Sequence, residues 1–242
     1  MMKNITVITG GSGGIGISVV RRFLEKDDIV IVLDMNEIKD EKIISNKNFY
    51  FMKIDVTNPS DIENAKKYIE KEFNKIDNII SMAGVNMKSE IGGMETVTIE
   101  DIDKSIKLNL NSHIYLVKIL LDLLKNNENN NKTITIISSI NAITDYGLPA
   151  YSAAKSGLYG FMKSIARQMG NLGIRVNTLV LGSVPHNDEI IENNEYFENK
   201  LIKLAGKEFV RPVDVADTLY ALIYNIKGIV GQNIILDRGQ SI

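Results

Sequence analysis

The sequence contains no cysteine. That excludes a disulfide framework, a thiolate metal site and a cysteine nucleophile, and it fits a reducing compartment. An excess of charge of one sign is also missing: 28 Lys and Arg against 30 Asp and Glu leave a formal net charge of −2. No basic field exists to hold nucleic acid or an anionic membrane surface. No stretch approaches the roughly 20 apolar residues needed to span a bilayer. The start of the chain, Met1 to Gly10, does not read as a signal peptide, because its apolar run is short and ends in glycine. Histidine occurs twice. His113 reads as a packed helix residue and His186 as a surface one. The carboxylates Asp188, Glu189, Glu192, Glu195 and Glu198 read as a solvated helical face, not a metal site. A soluble cytoplasmic protein without a bound metal is expected.

What is present is a chain of 242 residues, 44% apolar, enough for one large α/β domain. Short β-branched apolar runs alternate with longer helical patterns. Strands are expected at Ile5–Thr9, Ile29–Asp34, Phe49–Asp55, Asn78–Ser81, Thr133–Ser138, Arg175–Val180 and Asn233–Leu236. Helices are expected at Gly14–Glu25, Pro59–Phe73, Ile102–Lys125, Ala150–Asn171 and Val213–Asn225. This alternation predicts a parallel sheet covered by helices on both faces. The Asn-rich run 126–132 reads as a loop. The polar stretch 184–206 reads as a helical insertion, a lid over a substrate. Met82, Met87 and Met162 read as packing residues.

Two motifs carry chemistry. Strand Ile5–Thr9 runs into Gly10-Gly11-Ser12-Gly13-Gly14-Ile15-Gly16 and then a helix. Such a turn lets the backbone approach a pyrophosphate, which the helix N-terminus also favours. The glycines fit two registers, Gly11/Gly13/Gly16 and Gly10/Gly14/Gly16. Asp34 ends the second strand, where a carboxylate can accept from both hydroxyls of a ribose and repel a 2′-phosphate. NAD is therefore expected over NADP. Further on, Tyr151 and Lys155 stand four residues apart on one helix face. A phenol needs a nearby positive charge to exchange a proton near neutrality, and Lys155 is placed to supply it.

These motifs, with Asp55-Val56-Thr57, Asn109, Ser138-Ser139 and the closing Gly231-Gln232 and Asp237-Arg238-Gly239, occur in an order that resembles the short-chain dehydrogenase/reductase family, in its single-domain branch of about 250 residues. The resemblance covers nearly the whole chain. It implies a Rossmann-type doubly wound fold with a seven-stranded parallel sheet, and it selects the Gly10/Gly14/Gly16 register. It implies that Tyr151 is the general acid/base and that Lys155 lowers its pKa and holds the nicotinamide ribose. It further implies that a serine after strand five orients the substrate oxygen and that Asn109 supports a water linking Lys155 to solvent. The cofactor contacts it implies are Gly10, Ser12, Gly14, Ile15 and Gly16 at the turn, Asp34 and Met35 at the ribose, and Asp55 and Val56 at the adenine. Ala83 and Gly84, Gly182 and Val184, and Tyr151 with Lys155 complete the set.

Four departures from the family pattern stand out. Ser81-Met82-Ala83-Gly84 replaces Asn-Asn-Ala-Gly, whose first Asn usually ties neighbouring strands. Leu181-Gly182 replaces Pro-Gly, and Val184-Pro185-His186 stands where a Thr is usual, which weakens the grip on the nicotinamide amide. Asp237-Arg238-Gly239 replaces Asp-Gly-Gly. The usual count back from Tyr151 lands on Ser138, but the second serine of such a pair is the usual reactive one. Ser139 is therefore expected to be catalytic, with one residue deleted from the loop 141–149. The expected activity is NAD(H)-dependent interconversion of a small-molecule alcohol and carbonyl by a homotetramer. The alternatives are an NADPH-dependent 3-oxoacyl-carrier-protein reductase and a dinucleotide-binding sensor or scaffold without turnover.

Overall fold

The computed structural model describes residues 3–129, 131–144, 146–185, 205 and 208–242. Seven strands form one wholly parallel sheet: β1 (Ile5–Thr9), β2 (Ile29–Asp34), β3 (Phe49–Lys53), β4 (Asn78–Ser81), β5 (Lys132–Ser139), β6 (Ile174–Leu181) and β7 (Asn233–Leu236). Their spatial order is β3-β2-β1-β4-β5-β6-β7. The order reverses beside β1, so a crevice opens between β1 and β4 at the C-terminal ends of the strands, where doubly wound sheets bind ligands.

The helices are α1 (Gly14–Glu25), α2 (Glu41–Ile44), α3 (Pro59–Phe73), α4 (Ile99–Ile106), α5 (Ser112–Lys125), α6 (Pro149–Gly170) and α7 (Pro212–Tyr220). Successive strand residues point to opposite faces, and two apolar layers follow. Val7, Ile31, Ile79 and Ile134 face Ile62 and Ile69 of α3, Leu120 of α5 and Met162 of α6. Ile8, Val30, Val32 and Ile80 face Val19 and Phe23 of α1 and Val215 and Leu219 of α7. Because both faces are covered, β1 is buried at all five positions, which is why it carries no polar/apolar alternation and its two threonines, Thr6 and Thr9, are buried with the rest. Each fully buried Ile or Phe side chain contributes about 1.5–3 kcal/mol.

The expected bounds hold for β1, β2, β4, β7, α1 and α3. β3 stops at Lys53, two residues short of the expectation. The expected long helix 102–125 starts earlier, at Ile99, and is broken by a π-helical segment, Lys107–Asn111. The lid expected at 184–206 lies outside the described residues except for Val184, Pro185 and Ala205. His186 and the carboxylates between 188 and 198 lie outside them as well.

Helix starts differ in a way that matters for the site. Asn58 caps α3 by accepting from the Ser60 N–H, and Thr98 caps α4 by accepting from Asp101. The N-cap of α1 is Gly13 and that of α6 is Leu148, and neither gives a side-chain cap. The first four N–H groups of a helix have no intrahelical partner. In α1 they face the crevice.

Candidate active site

Two adjoining cavities of about 470 and 460 Å³ open at the C-terminal ends of the strands, with Ile15, Met82, Gly84, Val85 and Ile137 common to both walls. Met82, expected to be a packing residue, packs against the apolar layer beneath α1 and α7 and also lines both cavities. The first cavity is lined by Gly10, Ser12, Gly14, Ile15 and Gly16, by Asp34 and Met35, and by Val56, Ala83 and Gly84. Of the anticipated cofactor contacts here, Asp55 is missing from the wall; its Oδ1 accepts from the Thr57 N–H at 2.8 Å within its own loop.

The turn is built by close approach. A Cβ at Gly16 would lie 2.2 Å from the Gly10 carbonyl oxygen, whereas Gly13 has no neighbour inside 3.6 Å. Gly10 and Gly11 are also held closely, a Cβ on the first falling 2.9 Å from the Ala83 backbone and on the second 2.8 Å from Val32. Asp34 Oδ2 accepts from the Ser12 N–H at 3.1 Å and Oδ1 from the Asn36 N–H at 3.0 Å. This holds the carboxylate at the rim of the first cavity. No Lys or Arg among the described residues lines that cavity.

The second cavity collects Ser138, Ser139, Tyr151, Lys155, Gly182 and Val184. Tyr151 and Lys155 share one face of α6, with the Lys155 ammonium 5.6 Å from the phenol ring centroid. Lys155 is 3% exposed, and burial pulls its pKa down to about 7. Burial pushes the Tyr151 phenol up to about 12, opposed by a hydrogen bond from Ser139 and reinforced by the charge of Glu90. Of the groups around the phenol, Ser139 is the one whose contact lowers its pKa here.

The two serines divide their work. Ser138 Oγ donates to the Lys155 carbonyl at 3.0 Å and is buried. Ser139 Oγ lies against the Tyr151 phenol and Asn141. Asn109 lines neither cavity. It sits behind the wall in the π-helical segment, its Nδ2 donating to the Val85 carbonyl at 2.9 Å and its Oδ1 accepting from the Val85 N–H at 3.1 Å. A Cβ at Gly84 would fall 2.7 Å from Asn109 Oδ1 and 3.2 Å from Lys155 Nζ, so glycine there lets the three meet.

Ser81, standing where the family usually has Asn, has its own partner: its Oγ is 2.6 Å from His113 Nδ1. Burial holds the His113 pKa well below its usual value, so the imidazole is neutral. The tie between β1 and β4 comes from Thr9, whose Oγ1 accepts from the Met82 and Ala83 N–H groups.

A nicotinamide dinucleotide fits this crevice on two counts. The glycine turn leaves backbone N–H groups at the start of α1, with no Cβ on Gly13 or Gly14. Among the described residues, Lys155 Nζ has one hydrogen-bond partner, the Ile137 carbonyl at 3.1 Å. An ammonium has three donors, so two remain for ribose hydroxyls.

Several lining residues escaped the sequence reading. Gln240, near the C-terminus, accepts at Oε1 from the Ser183 N–H at 2.7 Å and donates from Nε2 to Ser183 Oγ at 3.0 Å. Tyr146 donates to the Gln240 carbonyl at 2.8 Å. Both line the second cavity with Asn86 and Asn141. They are loop residues with no periodicity to mark them. Glu90 was also missed, although it is fully buried beside α6.

A short chain dehydrogenase family model matches residues 4–191. The 3-oxoacyl-[acyl-carrier-protein] reductase FabG of Buchnera aphidicola subsp. Baizongia pistaciae is 33% identical over 186 residues, 75% of this chain and 74% of that protein. A 7alpha-hydroxysteroid dehydrogenase of Bacteroides fragilis is 27% identical over 254 residues, 99% of this chain and 95% of that protein. A solved short chain dehydrogenase of Leptospira borgpetersenii with bound NAD+ superposes with a TM-score of 0.88 at 26% identity, covering 100% of this chain and 94% of that one.

Proposed function

This chain belongs to the short-chain dehydrogenase family, whose members are oxidoreductases acting on CH–OH or carbonyl groups, and we propose that it uses NAD(H) to interconvert a small-molecule alcohol and its carbonyl. The observation that carries the cofactor choice is Asp34 on a cavity wall that lacks Lys and Arg among the described residues. A carboxylate there favours the two ribose hydroxyls and repels a 2′-phosphate. When bound, the dinucleotide supplies the hydride for reduction and accepts it for oxidation.

The rest falls to the chain. With its pKa near 12, Tyr151 holds its proton at neutral pH, the state needed to protonate a carbonyl oxygen as the C–O double bond becomes C–O–H. Ser139 donates a hydrogen bond to the same oxygen and fixes its position. Lys155 offers its free donors to the ribose, and Asn109 holds Val85 and the wall beside Lys155. Gln240 braces Ser183 after β6, where the chain lacks the usual threonine. Gly10, Ser12, Gly14, Ile15 and Gly16 would take the pyrophosphate, Val56 the adenine side, with Asp55 holding the loop behind it, and Ala83, Gly84, Gly182 and Val184 the nicotinamide side.

The 33% identity to a 3-oxoacyl-[acyl-carrier-protein] reductase favours a second reading, reduction of an acyl carrier's 3-oxo group. Asp34, together with Gly13 where such enzymes usually carry a basic residue, weighs against the NADPH dependence expected of it. The complete Asn109, Ser139, Tyr151 and Lys155 set weighs against a scaffold without turnover. Titration with the two reduced cofactors tests the choice. NADH should bind at least roughly tenfold more tightly than NADPH, about 1.4 kcal/mol. Equal or tighter NADPH binding contradicts the ribose reading.

We also propose that the chain acts as one domain in a cytoplasmic homotetramer of two-fold symmetry. The sheet edge supports an interface there: Ile235 of β7 is 48% exposed. Among the described residues, no helix is long and apolar enough to cross a membrane. Sedimentation at a monomer's mass at micromolar concentration contradicts the tetramer.

A further inference from the structure

Glu90 follows β4 in sequence and is 0% exposed. It has no Lys, Arg or His partner among the described residues. Its Oε1 accepts from the Tyr151 backbone N–H at 2.8 Å, across 61 residues of sequence. Its Oε2 accepts from Ser105 Oγ at 3.2 Å and from the Met87 N–H at 3.4 Å. Ser105 Oγ in turn accepts from Asn109 Nδ2 at 3.3 Å. One carboxylate thus connects the backbone of the proposed acid/base to the side chain of the proposed catalytic asparagine.

The local chemistry explains the position. α6 begins at Pro149, so Tyr151 is its third residue and its N–H is one of the orphan donors of the first turn. The N-cap, Leu148, sits at φ 58° with no side chain able to accept. A residue from a different segment satisfies the orphan, and the positive end of the helix dipole favours a carboxylate there. We propose that Glu90 is a positioning residue for catalysis: it caps α6 at Tyr151, fixes that turn to Asn109 through Ser105, and sets a negative charge at the base of the reactive side chain.

The inference rests on the reading of Tyr151 as the acid/base. Charged or titratable groups come from each element around the phenol. Lys155 lies on α6 itself and neutral His113 on α5. Glu90 belongs to the segment after β4 and Tyr146 to the loop before α6. β5 contributes only the Ser138 and Ser139 hydroxyls, and the described residues after β6, Gly182 to Pro185, are uncharged. Glu90 is therefore the sole described anion beside the phenol, and its charge opposes ionisation of Tyr151. Removing the charge while keeping the acceptor, as in Glu90→Gln, must make the phenol easier to ionise. Removing both, as in Glu90→Ala, must also free the Tyr151 N–H.

The test uses the full chain with NAD+ added and its tyrosines labelled with 13C at the ring carbon bearing oxygen, the Tyr151 signal being the one lost in Tyr151→Phe. In Glu90→Gln the Tyr151 midpoint should fall by about half a pH unit or more, while Tyr151 amide exchange stays slow. In Glu90→Ala amide exchange at Tyr151 should accelerate by about tenfold or more. A purely structural carboxylate would leave the Glu90→Gln midpoint within about 0.2 unit of wild type, and that result overturns the inference. If no midpoint falls within the folded range, unchanged exchange in Glu90→Ala overturns it and accelerated exchange supports it. Turnover of NADH with a carbonyl panel in Tyr151→Phe separates the two claims. Retained turnover overturns the reading of Tyr151 and this inference with it. Lost turnover with an unmoved Glu90→Gln midpoint overturns the role of Glu90 alone.

Discussion

At the N-terminal ends of β1, β2, β4 and β5, Thr6, Asp28, Asn78 and Thr133 are buried and bonded to one another. At the C-terminal end of the sheet Lys155 is just as buried, yet has one partner among the described residues. In the first group Thr6 and Tyr224 donate to Asp28, Asn78 donates to Thr6 and Tyr224, and Thr133 donates to Asn78. That network joins four strands to the segment after α7 and leaves no donor for a ligand. The second end keeps spare ammonium donors, an uncapped glycine turn at α1 and a phenol against a cavity. Burial of polar groups is thus ambiguous by itself. Full partnering marks structure, and partnering that a ligand must complete marks function.

The serine pair offers the sharpest contrast, because both line the second cavity but Ser138 is buried and committed to the Lys155 carbonyl while Ser139 lies against the phenol. Ser139→Ala should cut turnover on the order of 10²-fold or more, as loss of a donor to a reacting oxygen does, with little change in thermal unfolding. Ser138→Ala should do the reverse, costing about 0.5–1.5 kcal/mol of stability and leaving most turnover. Equal effects of the two substitutions on turnover would erase the distinction.

Asp28 extends the contrast to pH. Burial raises its pKa to about 6 from 3.8. For an acid with a raised folded-state pKa, the folded chain binds the proton more tightly. Its stabilising contribution is therefore full below about pH 4 and lost as pH rises through about 6. Asp28→Asn should remove that loss, so its stability relative to wild type should grow between those pH values. The gain should be on the order of 3 kcal/mol by chemical denaturation. A constant difference across that window would show that the network does not feel the charge.

The same division governs how much was legible in the sequence. β1, β2 and β4 were legible to the residue because burial on both faces gives short β-branched cores, Val7-Ile8, Ile29 to Leu33 and Ile79-Ile80, closed by polar residues such as Thr9, Asp34 and Ser81. The Gly10–Gly16 turn and Asp34 were legible because close approach and strand-end position constrain residue type at short range. The π-helical segment at Lys107–Asn111 was not, since one extra residue in a turn leaves the apolar spacing of the flanking helix almost unchanged. Asn109, which bonds the Val85 backbone, lies within that segment. The choice of Ser139 over Ser138 came from family resemblance and agrees with its contact to the phenol. Glu90, Tyr146 and Gln240 were invisible because each acts across 57 to 94 residues of sequence on a partner that no local pattern names.

The central claim is that the under-partnered end of the sheet performs proton transfer through Tyr151. Tyr151→Phe keeps the ring and deletes the hydroxyl. Its kcat with NADH and any carbonyl that the wild type reduces should fall on the order of 10²- to 10⁴-fold, with NADH affinity within about twofold of wild type. Near-wild-type kcat in that variant would contradict the account.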